Sequence, residues 1–338
     1  MLLAFACSVW KGYGWSNSRE ICERRFFASN PHGWFPSTRR NDGHLAASPS
    51  DGQQVDEILD EISWLSVEGS QRLAYRHVPR SDAASILFCN GFRSDMTGTK
   101  VAALENHCIQ RNWEFCAFDY SGHGLSSGTF EDCTLSDWIR DASTILDKVL
   151  LSDGQSNKPV IVVGSSMGAW IAIHLALQYN NKNNLPVAGI LGIASGPDFL
   201  QDMYSSSTPK QQEEWRSKGM VHLPSRYEDP YPISWNLIRD AAEQWGILPS
   251  TKPIPGVQYK SAGKLPSCQV RLLHGTCDQD VSWKKSKELA DLWNAADDHD
   301  ALLTLIDDGD HRLSRPQDIT LLLETLDGMV SSLEDNQE

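Results

Sequence analysis

A chain of 338 residues, 40% hydrophobic and 22% charged, holds enough apolar material for a substantial core, which excludes disordered and collagen-like classes. Its net charge of −14 is unevenly placed: residues 1–50 carry six Lys/Arg against three acids, leaving 24 basic and 41 acidic groups, a net −17, in the remainder. A body that acidic repels phosphate backbones, which argues against nucleic-acid binding, and without an apolar run of about 18 residues no integral membrane span is expected.

Residues 1–55 come first in the chain. They are basic, rich in Ser, Asn, Gly and aromatic residues, and without strand or helix period, as a targeting or disordered segment outside the fold would be. Arg25-Phe26-Phe27-Ala28-Ser29 resembles the Arg-x-Phe/Tyr followed by Ala/Ser at which mitochondrial presequences are cut. A transit peptide and a mitochondrial address are therefore expected first. The apolar run 1–10 supports a second reading, a signal for secretion or a plastid, and a plain tail on a cytoplasmic protein is the third. The eight cysteines (Cys7, Cys22, Cys89, Cys108, Cys116, Cys133, Cys268, Cys277) show no C-x-x-C spacing, and several lie in apolar strand-like runs. They read as reduced core thiols rather than a disulfide framework or a zinc site.

Residues 62–67 and 72–77 flank Glu68-Gly69-Ser70 and predict a β-hairpin. Residues 85–90 form a continuous apolar run, as in a buried strand, and 99–111 have helical spacing. A strand at 115–119, a helix at 135–150, a strand at 160–164, a helix at 167–179 and a strand at 187–194 follow. Residues 270–274, 282–296, 302–306 and 317–332 continue as strand, helix, strand, helix. This alternation predicts a mostly parallel sheet covered by helices on both faces and opened by an antiparallel hairpin. Residues 195–267 break the rhythm, with no strand, many Trp, Tyr and Pro, and helix-like pieces at 210–218 and 233–245. A structureless loop that long does not suit a compact domain, and the aromatic content argues against disorder. The expectation is a helical cap or lid over the C-terminal edge of the sheet, with the core built from 56–194 and 268–338.

Gly164-Ser165-Ser166-Met167-Gly168 fits G-x-S-x-G between a buried strand and an amphipathic helix. That context is a strand-to-helix elbow, which exposes the central hydroxyl as a nucleophile and is a mark of the α/β-hydrolase fold. A serine hydroxyl needs a base, and the base an orienting acid; in this fold they follow in the order acid, then histidine. His274-Gly275-Thr276-Cys277-Asp278 leaves a predicted strand, and Asp278 stands where the acid belongs, with Asp280 the competitor as a helix N-cap. Beyond it lie only His299 and His311. His299 precedes a strand and projects from the wrong edge, whereas His311 follows the strand 302–306 and is the predicted base. The predicted oxyanion donors are the backbone N–H groups of Met167, after the nucleophile, and Phe92, after the strand 85–90. Asp119-Tyr120-Ser121-Gly122-His123-Gly124 reads as a structural turn. No G-x-G-x-x-G, G-x-x-x-x-G-K-S/T or H-E-x-x-H is present, so no cofactor or metal is implied.

Five stretches carry a closer likeness: the run from Gly91-Phe92-Arg93-Ser94-Asp95-Met96-Thr97-Gly98-Thr99-Lys100, Phe118-Asp119-Tyr120-Ser121-Gly122, the Ser166 elbow, Arg271-Leu272-Leu273-His274-Gly275 with Asp278, and Asp310-His311-Arg312. Together they resemble the mitochondrial palmitoyl-protein thioesterases of the α/β-hydrolase-domain-containing family, also described as acyl-glucuronide esterases, over residues 62–332. The resemblance implies cleavage of S-acyl-cysteine thioesters and ester-linked glucuronides, hence depalmitoylation, through an acyl-enzyme on Ser166. Departures at Asn90, Ala169 and Ser282, and added length between 248 and 264, leave the three reactive residues in place and bear on substrate choice. The substrate is accordingly expected to be an acylated protein or a small acyl ester. A general carboxylesterase and a non-catalytic hydrolase-fold binding protein are the alternative readings.

Overall fold

The computed structural model describes residues 62–67, 71–80, 84–152, 158–180, 186–224, 230–295 and 300–335. An antiparallel hairpin of β1 (Ser63–Ser66) and β2 (Arg72–Val78) precedes β3 (Ser85–Cys89), α1 (Thr99–Arg111), β4 (Glu114–Phe118), α2 (Leu135–Ile145), β5 (Val160–Ser165), α3 (Met167–Tyr179) and β6 (Val187–Ile193). Next come α4 (Phe199–Ser206), α5 (Pro209–Lys218), β7 (Met220–Leu223), β8 (Tyr231–Ser234) and α6 (Trp235–Gln244). The chain ends through β9 (Gln269–Gly275), α7 (Trp283–Trp293), β10 (Asp300–Ile306) and α8 (Pro316–Asp335).

Eight strands form one sheet in the order β1-β2-β4-β3-β5-β6-β9-β10. The pairs β1–β2 and β2–β4 are antiparallel, and every later pair is parallel. Strand residues alternate between two cores because successive side chains point to opposite faces. Leu87, Cys116, Phe118, Val160 and Val162 join the residues of α2, α3 and α7, while Ile86, Phe115, Ala117, Ile161 and Val163 meet those of α1 and α8. Both faces are covered, so β3 and β4 are buried along their whole length, and this is why they are apolar after their first residues, Ser85 and Glu114. Helix α3 has no polar face to give to solvent: Met167 to Ala176 are all buried, packed between the sheet and α2.

The chain winds to β4 on one side of β3 and to β5 on the other, so the strand order reverses between β3 and β5. In open parallel sheets this reversal opens a crevice at the C-terminal strand ends, where sites form.

Between β6 and β9 the two expected helical pieces are present as α5 and α6, preceded by α4. The expectation of no strand is corrected there, since β7 and β8 pair antiparallel from Met220–Ser234 to Leu223–Tyr231. Four-residue strands, one containing Pro232, are too short to show an alternating pattern. Predicted helix 135–150 is α-helical only to Ile145 and closes as a π-wound turn over Leu146–Leu150. Cys89, Cys108, Cys116, Cys133 and Cys268 are free thiols, in keeping with the reduced reading for these five; Cys277 is disulfide-bonded, which corrects that reading there. None of the described helices is long and apolar enough to cross a membrane. The predicted presequence cleavage motif and His299 lie outside the described residues.

Candidate active site

Strand β5 delivers Ser166 to the crevice in a conformation an ordinary residue avoids, φ 54° and ψ −110°. Such a residue stores about 1–3 kcal/mol and persists only when its neighbours fix it. Here the Ser166 N–H donates to the Ile193 carbonyl at 2.8 Å, and the Ser166 carbonyl accepts from Ala169 N–H at 3.1 Å and Gly196 N–H at 3.2 Å. The flanking glycines are a steric requirement. A Cβ on Gly168 would strike the Cys89 and Asn90 carbonyls at the end of β3, and one on Gly164 would strike the backbone of Gly168 and Ala169.

The loop after β10 brings His311 to the same edge. Its Nε2 lies 3.1 Å from Ser166 Oγ and its Nδ1 2.7 Å from Asp278 Oδ2. The loop is fastened twice: the Asp310 carboxylate accepts from the N–H groups of Arg312 and Leu313 at 3.1 and 2.9 Å, and Lys100 Nζ donates to the Arg312 carbonyl at 2.6 Å. Lys100 is itself half-buried, and desolvation pulls its pKa down to about 8 against the attraction of Asp310 and Asp318.

Asp278 leaves β9 and is buried, 3% exposed. Its Oδ1 accepts from the N–H groups of Asp280 at 2.9 Å and Val281 at 2.8 Å. Its Oδ2 accepts from His311 and, at 3.0 Å, from His274 Nε2. Burial alone would raise its pKa, but the bonds from His274 and His311 outweigh that and hold it well below the usual carboxylate range. Asp278 therefore stays ionised, as an acid that orients an imidazolium must. The competitor Asp280 is exposed, and the N-cap of α7 is Ser282, whose Oγ accepts from Lys284 N–H, not Asp280 as expected. Asp278, Asp280 and His311 place one ligand atom each within 4.8 Å of one another. Two of those three groups already serve each other and Ser166.

The turn after β3 is pinned by Asn90 Nδ2, which donates to the Phe118 carbonyl at 2.7 Å. It passes so close to the elbow that a Cβ on Gly91 would lie 3.6 Å from Ser166 Cβ. Phe92 thus follows a glycine that touches the elbow, and Met167 opens α3, where first-turn N–H groups have no partner inside the helix. The Phe92 ring meets Phe130, Trp138, Phe199 and Tyr231 edge-on at centroid distances of 5.1, 5.9, 5.3 and 6.0 Å. Phe199 and Tyr231 belong to α4 and β8, so the segment between β6 and β9 supplies two of the five rings in this cluster. Sequence reasoning missed this cluster, because its members are far apart in the chain and aromatic residues are common in cores.

His123 is buried, which lowers its pKa to about 4. Its Nε2 accepts from Arg93 N–H at 3.2 Å and its Nδ1 faces the Ser121 carbonyl at 3.3 Å, so it braces the turn, as read, and offers no base. Asp119 binds the N–H groups of Met96 and Leu125, each at 2.8 Å, and so ties the Ser94-Asp95-Met96-Thr97-Gly98-Thr99-Lys100 run to the chain after β4.

Comparison with known proteins agrees with this architecture. The family described as serine aminopeptidase, S33 matches residues 80–236. Mouse palmitoyl-protein thioesterase ABHD10, mitochondrial, is 34% identical over 274 residues, 80% of this chain and 83% of the mouse protein. The structure of mouse alpha/beta hydrolase domain-containing protein 10 superposes with a TM-score of 0.66 at 33% identity, covering 80% of this chain and 99% of that one. A crystal structure from Agrobacterium vitis S4 gives 0.69 at 30% identity, covering 80% and 98%. A hydroxyl presented on a strained elbow at the switch point of a doubly covered sheet, in a chain this similar to its relatives, belongs to an α/β-hydrolase of the ABHD10 family, a hydrolytic enzyme.

Proposed function

We propose that the protein hydrolyses long-chain acyl thioesters and esters, S-palmitoyl-cysteine foremost, through an acyl-enzyme on Ser166. His311 Nε2 takes the proton of Ser166 Oγ as the oxygen attacks the acyl carbon, and Asp278 stabilises the imidazolium that results. The N–H groups of Phe92 and Met167 hold the oxyanion, each worth about 3–4 kcal/mol of barrier by precedent. His311 passes its proton to the leaving thiol or alcohol, then activates the water that releases the acid. The observation that carries the reading is the unbroken chain from Ser166 Oγ through His311 to the ionised Asp278, at 3.1 and 2.7 Å.

The aromatic cluster around Phe92 favours an apolar acyl group, with residues 195–267 acting as the cap that supplies Phe199 and Tyr231. The mitochondrial address follows the relatives' names and fits the basic segment 1–55. Ester-linked glucuronides are the second substrate class, through the same acyl transfer. The deciding experiment is a series of acyl thioesters from four to sixteen carbons beside a palmitoylated peptide. The reading predicts kcat/KM rising with chain length and turnover of the peptide; a maximum at the shortest acyl groups would assign a small-ester carboxylesterase instead.

A further inference from the structure

His274, near the end of β9, is fully buried, yet its ring reaches the carboxylate oxygen that His311 uses. Its Nε2 lies 3.0 Å from Asp278 Oδ2 and 3.1 Å from the Val281 carbonyl oxygen, and its Nδ1 lies 2.7 Å from Ser286 Oγ on α7. Both neighbours of Nε2 are acceptors only, so the proton sits on Nε2, and Nδ1 takes the Ser286 O–H. We propose that His274 is a positioning residue for acyl transfer: its Nε2–H, fixed on that nitrogen by the two acceptors Asp278 and the Val281 carbonyl, holds Asp278 Oδ2 where it orients His311. This rests on the roles assigned to Ser166, Asp278 and His311 above.

The other carboxylate oxygen is fixed by two backbone N–H groups. Oδ2 has His311, which must turn toward the leaving group during the reaction, and His274, which is held by β9 and α7 and does not. A second donor also draws charge from Oδ2. Its loss makes the carboxylate grip the His311 proton harder, so the base turns on at higher pH. The groups facing His311 are Ser166 from the elbow, Asp278 and Asp280 from the loop after β9, Asp310 and Arg312 in its own loop, and Lys100 from α1 on the Arg312 carbonyl. Substitution at His274 leaves all of these in place.

The test compares wild type, His274→Leu and His274→Gln, with rates expressed per site titrated by a fluorophosphonate. The leucine variant is expected to lose about 10- to 100-fold in kcat, with KM within about twofold and the acid limb of kcat/KM moved up by about half a pH unit. Glutamine, whose side-chain nitrogen can donate from nearly the same place, is expected to restore most of both. A leucine variant with wild-type kcat per titrated site and an unmoved acid limb would overturn the proposal. Should that variant not fold, nitrogen-15 spectroscopy of the wild type decides: a proton on Nε2 of His274 through the pH range in which His311 titrates is expected, and a proton on Nδ1 overturns it. Failure of the underlying roles is distinguishable, because the wild type would then take no label at Ser166 and both readings would fall.

Discussion

Ser166 shows how closely residue type and chemistry are tied in this site. Its positive φ and the contact of Gly168 with the end of β3 are two sides of one strained turn, and both were readable from the G-x-S-x-G spacing. Asp278 and His311 were readable too, from chain order and from which end of a strand each follows. His274 and Lys100 stood within the recognised motifs, yet their contacts span a buried ring and a sequence separation of 212 residues, which no local pattern reports. Two predictions belong at this scale. Asp278→Asn keeps the shape but not the charge, and kcat is expected to fall about 10³- to 10⁴-fold in steady-state thioester hydrolysis, with the protein still folded by circular dichroism. Lys100→Met removes the bond to the Arg312 carbonyl that steadies the His311 loop, and a loss of about tenfold in kcat with little change in KM is expected from the same assay. Loss in KM alone would place Lys100 in substrate binding instead.

At the scale of elements, α3 does two jobs. It opens just after Ser166, and from one turn further on it grips the chain beyond α6: Trp170 Nε1–H and His174 Nε2–H both donate to the Trp245 carbonyl at 2.8 Å. The strands were legible because both-face burial makes apolar runs, and the surface helices because they keep a 3.6-residue period; α3, expected to be amphipathic, is instead buried all round. The β7–β8 hairpin was not, and neither was the anchoring of the segment on Asp198, which accepts from the N–H groups of Ile247 and Leu248 at 3.0 and 2.7 Å and from the hydroxyls of Thr251 and Tyr259 at 2.6 and 2.9 Å. Burial lowers His174 to about 4, below the unfolded value near 6.5, so it is neutral when folded. The stability this gives is full above pH 6.5 and is lost as pH falls toward 4, by about 3 kcal/mol at most. His174→Gln, which keeps a donor but cannot titrate, is expected to flatten that part of the pH dependence in urea unfolding; an unchanged slope would mean His174 is protonated in the fold. Phe199→Ala, which opens the aromatic cluster, is expected to cost about 1–3 kcal/mol of transition-state binding for a palmitoyl group, less for a butyryl group, read from kcat/KM.

For the whole molecule, a net charge of −14 acts on any charged substrate that approaches. Screening shortens that field from about 30 Å at 0.01 M salt to about 8 Å at physiological strength. Raising salt across that range is expected to increase kcat/KM about two- to fivefold for palmitoyl-coenzyme A, which is anionic, and to leave a neutral palmitoyl thioester nearly unchanged. Equal response of the two would show that the acidic body does not reach the site. The central claim, that Ser166 is the nucleophile of an acyl-transfer hydrolase, is tested most directly by fluorophosphonate labelling with the adduct mapped by peptide mass spectrometry, beside thioester turnover by Ser166→Ala. The expected result is an adduct on Ser166 alone, with turnover lowered by about three or more orders of magnitude in the variant. An adduct elsewhere, or a variant that keeps its activity, would contradict it.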